Sequence, residues 1–315
     1  MRWDDRIGRR IKLSDLHILL VVADAGSMAK AATSLAISQP AISYAIAGME
    51  HALGVPLLDR GPQGVNPTAY GRALIERSVA VFNELRLGVS EIEFLADPSG
   101  GELRIGTTQV MSAIASAVIN RLMPRYPRMV FHLITESTTV LIRELRRRNI
   151  ELAICRIAGP FTEDDLIAEI LFHDRLAVIS GKLGRWVRRR AIRLSELIDE
   201  PWVLPPPDSF LGGLICDAFH IHGLERPRAT VNTNSTYAIN MLVATGPFLT
   251  IHPETMLKVP EKHQSLTALA VDLRTTRNPV ALIMPKHHAP SPVAKLFTET
   301  ARDVARALNK AAVSL

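Results

Sequence analysis

Apolar positions in the first hundred residues recur at helical spacing in four separate runs. Leu13, Leu16, Leu19, Leu20 and Val22, with Gly26 directly after them, predict a helix from about Ser14 to Ala25. Ser27 can cap a second helix, Met28 to Leu35, whose small residues Ala29, Ala31 and Ala32 let another helix approach closely. Ala36 and Ile37 form the turn. Ser38 then caps a third helix with Pro40 in its first turn, where a missing N–H costs nothing. Ile42, Ile46, Met49 and Leu53 give this helix an apolar face, and Gly54 stops it. From Thr68 to Leu95 there is no proline, and one long helix is expected. Its positions Leu74, Ser78, Val81, Leu85, Gly88, Ile92 and Leu95 alternate steps of four and three, the seam of a coiled coil. That seam can pair with a second copy or pack inside its own chain. The breaker cluster Asp97 to Gly101 reads as a hinge.

Beyond the hinge the pattern becomes an alternation of strands and helices. Glu102 to Gly106 reads as a strand, Thr107 to Gln109 as a polar turn, and the following residues as a helix ending near Pro124. Val130 to Thr135 and Ile150 to Arg156 read as strands around a helix from Thr138 to Arg148. A second set has strands near Leu176 to Ile179, Trp202 to Leu204, Ala229 to Val231 and Phe248 to Ile251, with helices near Gly213 to His222 and Thr236 to Ala244. Strand Val280 to Met284 and helix Val293 to Leu308 return to the first half. Such alternation predicts parallel sheets covered by helices. The expected domains are 1–67, a linker helix 68–97, and a two-lobed α/β domain 98–315. Lobe I spans about 102–179 and 272–315, and lobe II about 180–271.

A length of 315 residues exceeds one ordinary core, which agrees with this division. Hydrophobic residues at 47% against 22% charged exclude a disordered chain. No run reaches the roughly 18 apolar residues of a membrane span, and the charged start Met1 to Lys12 lacks a signal-peptide core, so the cytoplasm is expected. Cys155 and Cys216 form no metal or disulfide spacing; buried free thiols are the preferred reading and a redox switch the alternative. The net charge of +6 points less to nucleic acid than it suggests, because residues 1–97 hold 10 Lys and Arg against 11 Asp and Glu. Any case for DNA binding rests on local geometry.

Three short helices with this turn place the first turn of the third in a major groove, exposing Gln39, Ser43 and Tyr44 beside Ser38 and Pro40. The run Ser27, Ala31, Ala32, Leu35, Ser38, Gln39, Pro40, Ala41, Ser43, Ile46, Glu50, Leu53, Gly54, Leu57 and Arg60 resembles the signature of the LysR family of bacterial transcription regulators in order and spacing. The family often carries Arg or Lys where this chain has Tyr44 and Ala47, and Gln39 to Leu53 holds neither cation. Phosphate contacts are therefore assigned to Lys30, to Arg60, Gln63 and Asn66 in a following wing, to Thr68, and to Arg9, Arg10 and Lys12, of which Arg9 and Arg10 read equally well as a solvated tail. The resemblance implies a winged helix-turn-helix, a linker helix, and a two-lobed α/β domain like that of periplasmic binding proteins. It also implies double-stranded DNA, a small-molecule effector and a second copy as partners, with assembly as a dimer of dimers. RNA polymerase is a further candidate partner, and a membrane is not one.

Ligands of open α/β sheets sit beyond the C-terminal ends of strands. Thr107, Thr108 and Gln109 occupy such a place in lobe I and Asn234, Ser235 and Thr236 in lobe II, although helix capping alone accounts for either cluster. Thr135, Ser137 and Thr138 follow another strand, and the loop Pro205 to Phe210, with Ser209 and Phe210, is expected to close one rim. Arg156 ends a strand at a position resembling one where some family members meet an effector carboxylate; a salt bridge to a structural acid is the alternative. The arginine clusters at 143–148 and 185–193 read as solvated surface. His220, His222, His287 and His288 lack further ligands, so no metal is expected, and no cofactor fingerprint occurs. The expected function is a DNA-binding regulator switched by a small organic anion. The alternatives are a DNA-binding protein with an inert scaffold domain, and an enzyme, for which no nucleophile or acid–base pair stands in suitable spacing.

Overall fold

The computed structural model describes residues 10–61, 64–157, 159–258, 265–273 and 278–313. The chain forms two compact units, Met1–Val89 with Arg146–Asn149 and Ser90–Leu145 with Ile150–Leu315, so that the first division falls inside a long helix.

In the first unit, helices α1 (Leu13–Ala25), α2 (Met28–Leu35) and α3 (Gln39–Leu53) precede a hairpin of β1 (Leu58–Gly61) and β2 (Gly64–Pro67) and the helix α4 (Ala69–Ala96). Leu19, Val22, Ala31, Ile42, Ile46 and Met49 are wholly hidden from solvent and form its core with Leu57. The helix ends follow the sequence. Ser27 Oγ accepts from Lys30 N, Ser38 Oγ accepts from Ala41 N, and Gly26 and Gly54 adopt left-handed conformations that a side chain would strain. The turn between α2 and α3 has no glycine, and Ala36 itself takes a φ of 54°. Glu50 fastens α3 to the hairpin, since its Oε1 accepts from Leu57 N at 2.7 Å and Leu58 N at 3.2 Å.

The second unit holds two five-stranded sheets. The first contains β3 (Gly100–Thr107), β4 (Arg128–Thr135), β5 (Leu152–Arg156), β6 (Leu166–Asp174) and, late in the chain, β12 (Asn278–Pro285), in the order β4-β3-β5-β12-β6. Helices α5 (Ser112–Leu122), α6 (Thr138–Arg146) and α10 (Pro292–Val313) belong to this lobe. The second sheet contains β7 (Leu176–Gly181), β8 (Trp202–Leu204), β9 (Ala229–Asn232), β10 (Leu249–Pro253) and β11 (Leu266–Ala268), in the order β11-β7-β10-β8-β9. Its helices are α7 (Phe210–Ile221), α8 (Thr236–Thr245) and the short α9 (Thr255–Lys258). Trp202 anchors its core, its indole edge-on to Phe219 at 5.9 Å and its Nε1 donating to Leu197 O at 2.8 Å.

Three expectations are corrected. The sheets are mixed: β12 runs antiparallel to β5 and β6, and β7 antiparallel to β10, because β12 and β7 each enter their sheet directly from the other lobe. Strand β6 was not anticipated; it is the edge strand of its sheet, and its polar residues Glu169, His173 and Asp174 blur the alternation. Strand β7 belongs to lobe II, so the chain crosses at Arg175 and the lobe boundary lies before Leu176 instead of after Ile179.

Candidate functional site

The helix α3 presents the surface expected of a groove reader. Ile42, Ile46 and Met49 face the core, while Gln39, Pro40 and Tyr44 are exposed, Tyr44 at 84%, and Ser43 is half-buried. Lys30, Arg60 and Asn66 are also exposed, as are Arg10 and Lys12, the latter with its backbone N–H donating to Asp15 Oδ2 at the start of α1. Thr68 is differently engaged. Its hydroxyl donates to Pro56 O at 2.7 Å and accepts from Gly71 N at 3.0 Å, so it seats the start of α4. Ser38 likewise spends its oxygen on capping α3. Gln63 and Arg9 lie outside the described residues.

The seam expected along α4 divides in two. Leu74 packs in the core of the first unit and Ser78 is buried with its hydroxyl on Leu74 O. Further along, Val81, Leu85, Val89, Ile92 and Leu95 are exposed, a run of apolar side chains that a single chain leaves in water.

Between the lobes of the second unit lies a cavity of about 440 Å³. From lobe I its walls include Thr108, Gln109, Thr135, Ser137, Thr138 and Arg156, and from lobe II Ser209, Phe210, Asn234 and Thr236. Helices α6, α7 and α8 begin at this wall, which brings the positive ends of their dipoles to it, while Ser137, Ser209 and Ser235 each cap one first-turn N–H. Gln109 Oε1 accepts from both Thr236 N and Thr236 Oγ1 at 3.3 Å, a link from one rim to the other.

Two expected members stand elsewhere. Thr107 is wholly buried at the end of β3, its Oγ1 3.4 Å from that of Thr135, and is not part of the wall. Ser235 caps α8 by accepting from Ala238 N and also lies off this wall, so capping describes it fully. The helix after Thr108 starts only at Ser112, which leaves Thr108 to Met111 as a turn facing the cavity.

The floor carries charge chemistry. Arg156, 5% exposed, donates from Nη2 to Asp174 Oδ2 at 2.7 Å, and Asp174 Oδ1 accepts from Thr255 N at 3.2 Å. The structural-acid alternative therefore applies to Nη2. The buried Nε has no hydrogen-bond partner among the described residues. Burial pulls the Arg156 pKa down against the opposing pull of Asp174. His252, at the end of β10, is 1% exposed, lines the same cavity, and neither ring nitrogen has a partner among the described residues. Sequence reasoning missed it, and also Glu136. His252 directly follows a predicted strand end, which was the available signal. Burial, with the charge of Arg156 added, pushes its pKa down to about 4.

This burial sets a pH dependence. With a folded pKa of about 4 against 6.5 unfolded, the unfolded chain binds the extra proton in that window. Stability is then lost as pH falls from 6.5 towards 4. His252→Leu is expected to remove this slope, gaining about 2 kcal/mol over the parent between pH 7 and pH 5. Urea titrations of both proteins at the two pH values check it, and parallel losses would refute it.

Cys155 is buried, with its thiol pushed up to about 12 by desolvation, and Cys216 is partly buried; both are free. A thiol so far from ionising does not suit a redox switch. In the cluster at 185–193, Arg185 pairs with Glu200, and Arg189 and Arg193 with Glu196. Among the described residues no group of three His, Cys, Asp or Glu is placed to hold a metal, and no helix is long and apolar enough to cross a membrane.

Comparison with known proteins agrees with this architecture. The profile of the "LysR substrate binding domain" matches residues 96–306, and that of the "bacterial regulatory helix-turn-helix protein, lysR family" matches residues 13–72. The HTH-type transcriptional regulator GbpR of Rhizobium radiobacter is 30% identical over 235 residues, covering 73% of this chain and 78% of its own. GbpR of Azospirillum brasilense is 26% identical over 293 residues, 91% of this chain and 84% of its own. Full-length CbnR in the crystal structure of its complex with target DNA superposes with a TM-score of 0.67 at 20% identity, over 93% of this chain and 99% of that one. The chain thus belongs to the LysR family of bacterial DNA-binding transcription regulators, joining the family's helix-turn-helix to its substrate-binding domain.

Proposed function

We propose that this regulator is switched by a small organic acid bound between the two lobes, and that no bond is made or broken there. One observation carries the reading: the starts of α6, α7 and α8 and the unpartnered, buried Nε of Arg156 converge on a single cavity of about 440 Å³. Helix N-termini favour an anionic oxygen, so the carboxylate belongs near Thr108, Ser137 and Thr138, at the mouth. Binding that favours one arrangement of the lobes shifts the population of DNA-binding states. An enzyme would need a nucleophile or an oriented acid and base at this wall; Thr, Ser, Gln and Asn side chains predominate instead.

In the same reading two copies pair through the exposed stripe of α4 and read two half-sites, gaining by effective concentration, and two such pairs form the dimer of dimers. The regulator acts in the cytoplasm, where it meets promoter DNA and RNA polymerase. Gln39, Ser43 and Tyr44 read base edges, while Lys30, Arg60 and Asn66 hold phosphates. Gln39→Ala is expected to lower affinity for the operator by about 10- to 100-fold and to leave non-specific DNA binding nearly unchanged. Fluorescence anisotropy with operator and scrambled duplexes tests it, with and without organic acids. Equal losses on both duplexes would remove Gln39 from the reading set, and footprints that no acid ever alters would refute the switch.

A further inference from the structure

The cavity floor is built for a group that the mouth is not. Arg156 closes β5 in lobe I and His252 lies in β10 of lobe II, where it is paired in register with Ala177, two residues past the crossing at Arg175. One polar side chain from each lobe thus meets at the hinge, both at least nine-tenths buried and both with nitrogen atoms left unpaired among the described residues. Buried polar atoms without partners are rare, and each one calls for an explanation.

The charges facing this floor nearly cancel. Arg156 is paired with Asp174, Arg175 with Glu254 through two contacts of 2.6 and 3.0 Å, and Glu136 adds a carboxylate on the wall. A neutral imidazole offers one N–H donor and one bare nitrogen acceptor. A carboxylate can only accept, so it would leave the bare nitrogen unpaired and would add a buried negative charge beside Asp174, whose guanidinium is already in use. A hydroxyl group both donates and accepts. It can take the N–H of Arg156 Nε while giving its own proton to the ring.

We propose that His252 and Arg156 form a hydroxyl-recognising subsite at the cavity floor, so that the effector is a hydroxy acid whose hydroxyl bridges the two lobes at the hinge. The inference rests on the reading of this cleft as the effector site. It adds that recognition at depth is of a neutral donor–acceptor group, with the carboxylate held at the mouth.

Thermal-shift and calorimetric titrations of the full chain with matched probes test this: lactate against propionate, malate against succinate, gluconate against hexanoate, and glucitol as a neutral polyol. In at least one pair the hydroxylated acid is expected to bind between about tenfold and a hundredfold more tightly, the usual loss when a buried polar group is left unpaired. His252→Leu should erase that preference, and His252→Gln, which keeps a donor and an acceptor, should restore part of it. Plain acids that bind as well as their hydroxylated partners in every pair would overturn the floor subsite and leave the effector cleft standing. Failure of every probe to bind would overturn both. Glucitol binding as tightly as the hydroxy acids would keep the hydroxyl subsite but overturn the assignment of a hydroxy acid, and with it the carboxylate at the mouth.

Discussion

Replacement of Arg156 by methionine is expected to destabilise the second unit by about 3–5 kcal/mol, because Asp174 would be left as a buried charge without its hydrogen-bonded cation, the neighbouring Arg175 being paired with Glu254. Asp174 is 3% exposed, and its other side-chain hydrogen bond among the described residues comes from the backbone N–H of Thr255. The double replacement Arg156→Met with Asp174→Leu removes both charges and keeps the volume, so it should recover all but about 1 kcal/mol, the share of the orphaned Thr255 N–H. Of the three tryptophans, Trp186 and Trp202 lie in the second unit, so in a Trp3→Phe background tryptophan fluorescence during urea denaturation reports its unfolding. A single variant that loses less than the double one would sink the argument. The double variant should also differ from the parent in ligand response: it folds but lacks Nε, and should lose the preference for hydroxylated acids.

The second large effect is expected in the other unit. Gly71 lies in the first turn of α4 with the carbonyl of Leu57 directly above it; a methyl group there would sit 2.0 Å from that oxygen. The carbonyl is not free to move away. It accepts from Thr68 N at 2.9 Å and follows Leu57 N, which Glu50 holds at 2.7 Å. Gly71→Ala therefore has to part the start of α4 from the hairpin, at a cost of about 3 kcal/mol, the upper end for overpacking. Operator affinity should fall with it, since Arg60 and Asn66 stand on that hairpin. Ligand-induced thermal stabilisation of the second unit should persist. Anisotropy and thermal-shift measurements on the one variant read both, and unchanged operator binding would show that the hairpin plays no part in holding DNA.

The histidine at the cavity floor shows why some of the site escaped sequence reading. In the string Leu-Thr-Ile-His-Pro every residue is buried, and a single histidine in a buried strand reads as core. Its meaning depends on the strand beside it and on Arg156 from the other lobe, neither of which is near in sequence. Asp174 was hidden for a related reason: it closes an edge strand whose polar residues broke the period, so no strand end was there to find. Thr107 and Ser235 err in the opposite sense. Both stand where a strand or helix terminus suggests a ligand, but one is turned inward and the other caps its own helix.

What the amino-acid order settled by itself is everything governed by neighbours along the chain. The helix-turn-helix is bounded by Ser27, Ser38 and Gly54, whose effects on capping and chain reversal are local, and the apolar faces of α1, α3 and α4 follow from a period of 3.6. The tertiary structure alone decided which strands pair, where the chain crosses between lobes, and which polar groups are left without partners at depth. Those are outcomes of contacts between segments that are not neighbours along the chain, such as β10 with β7 and β12 with β5, and burial of a charge or an imidazole has no counterpart in the local pattern that sequence periodicity records.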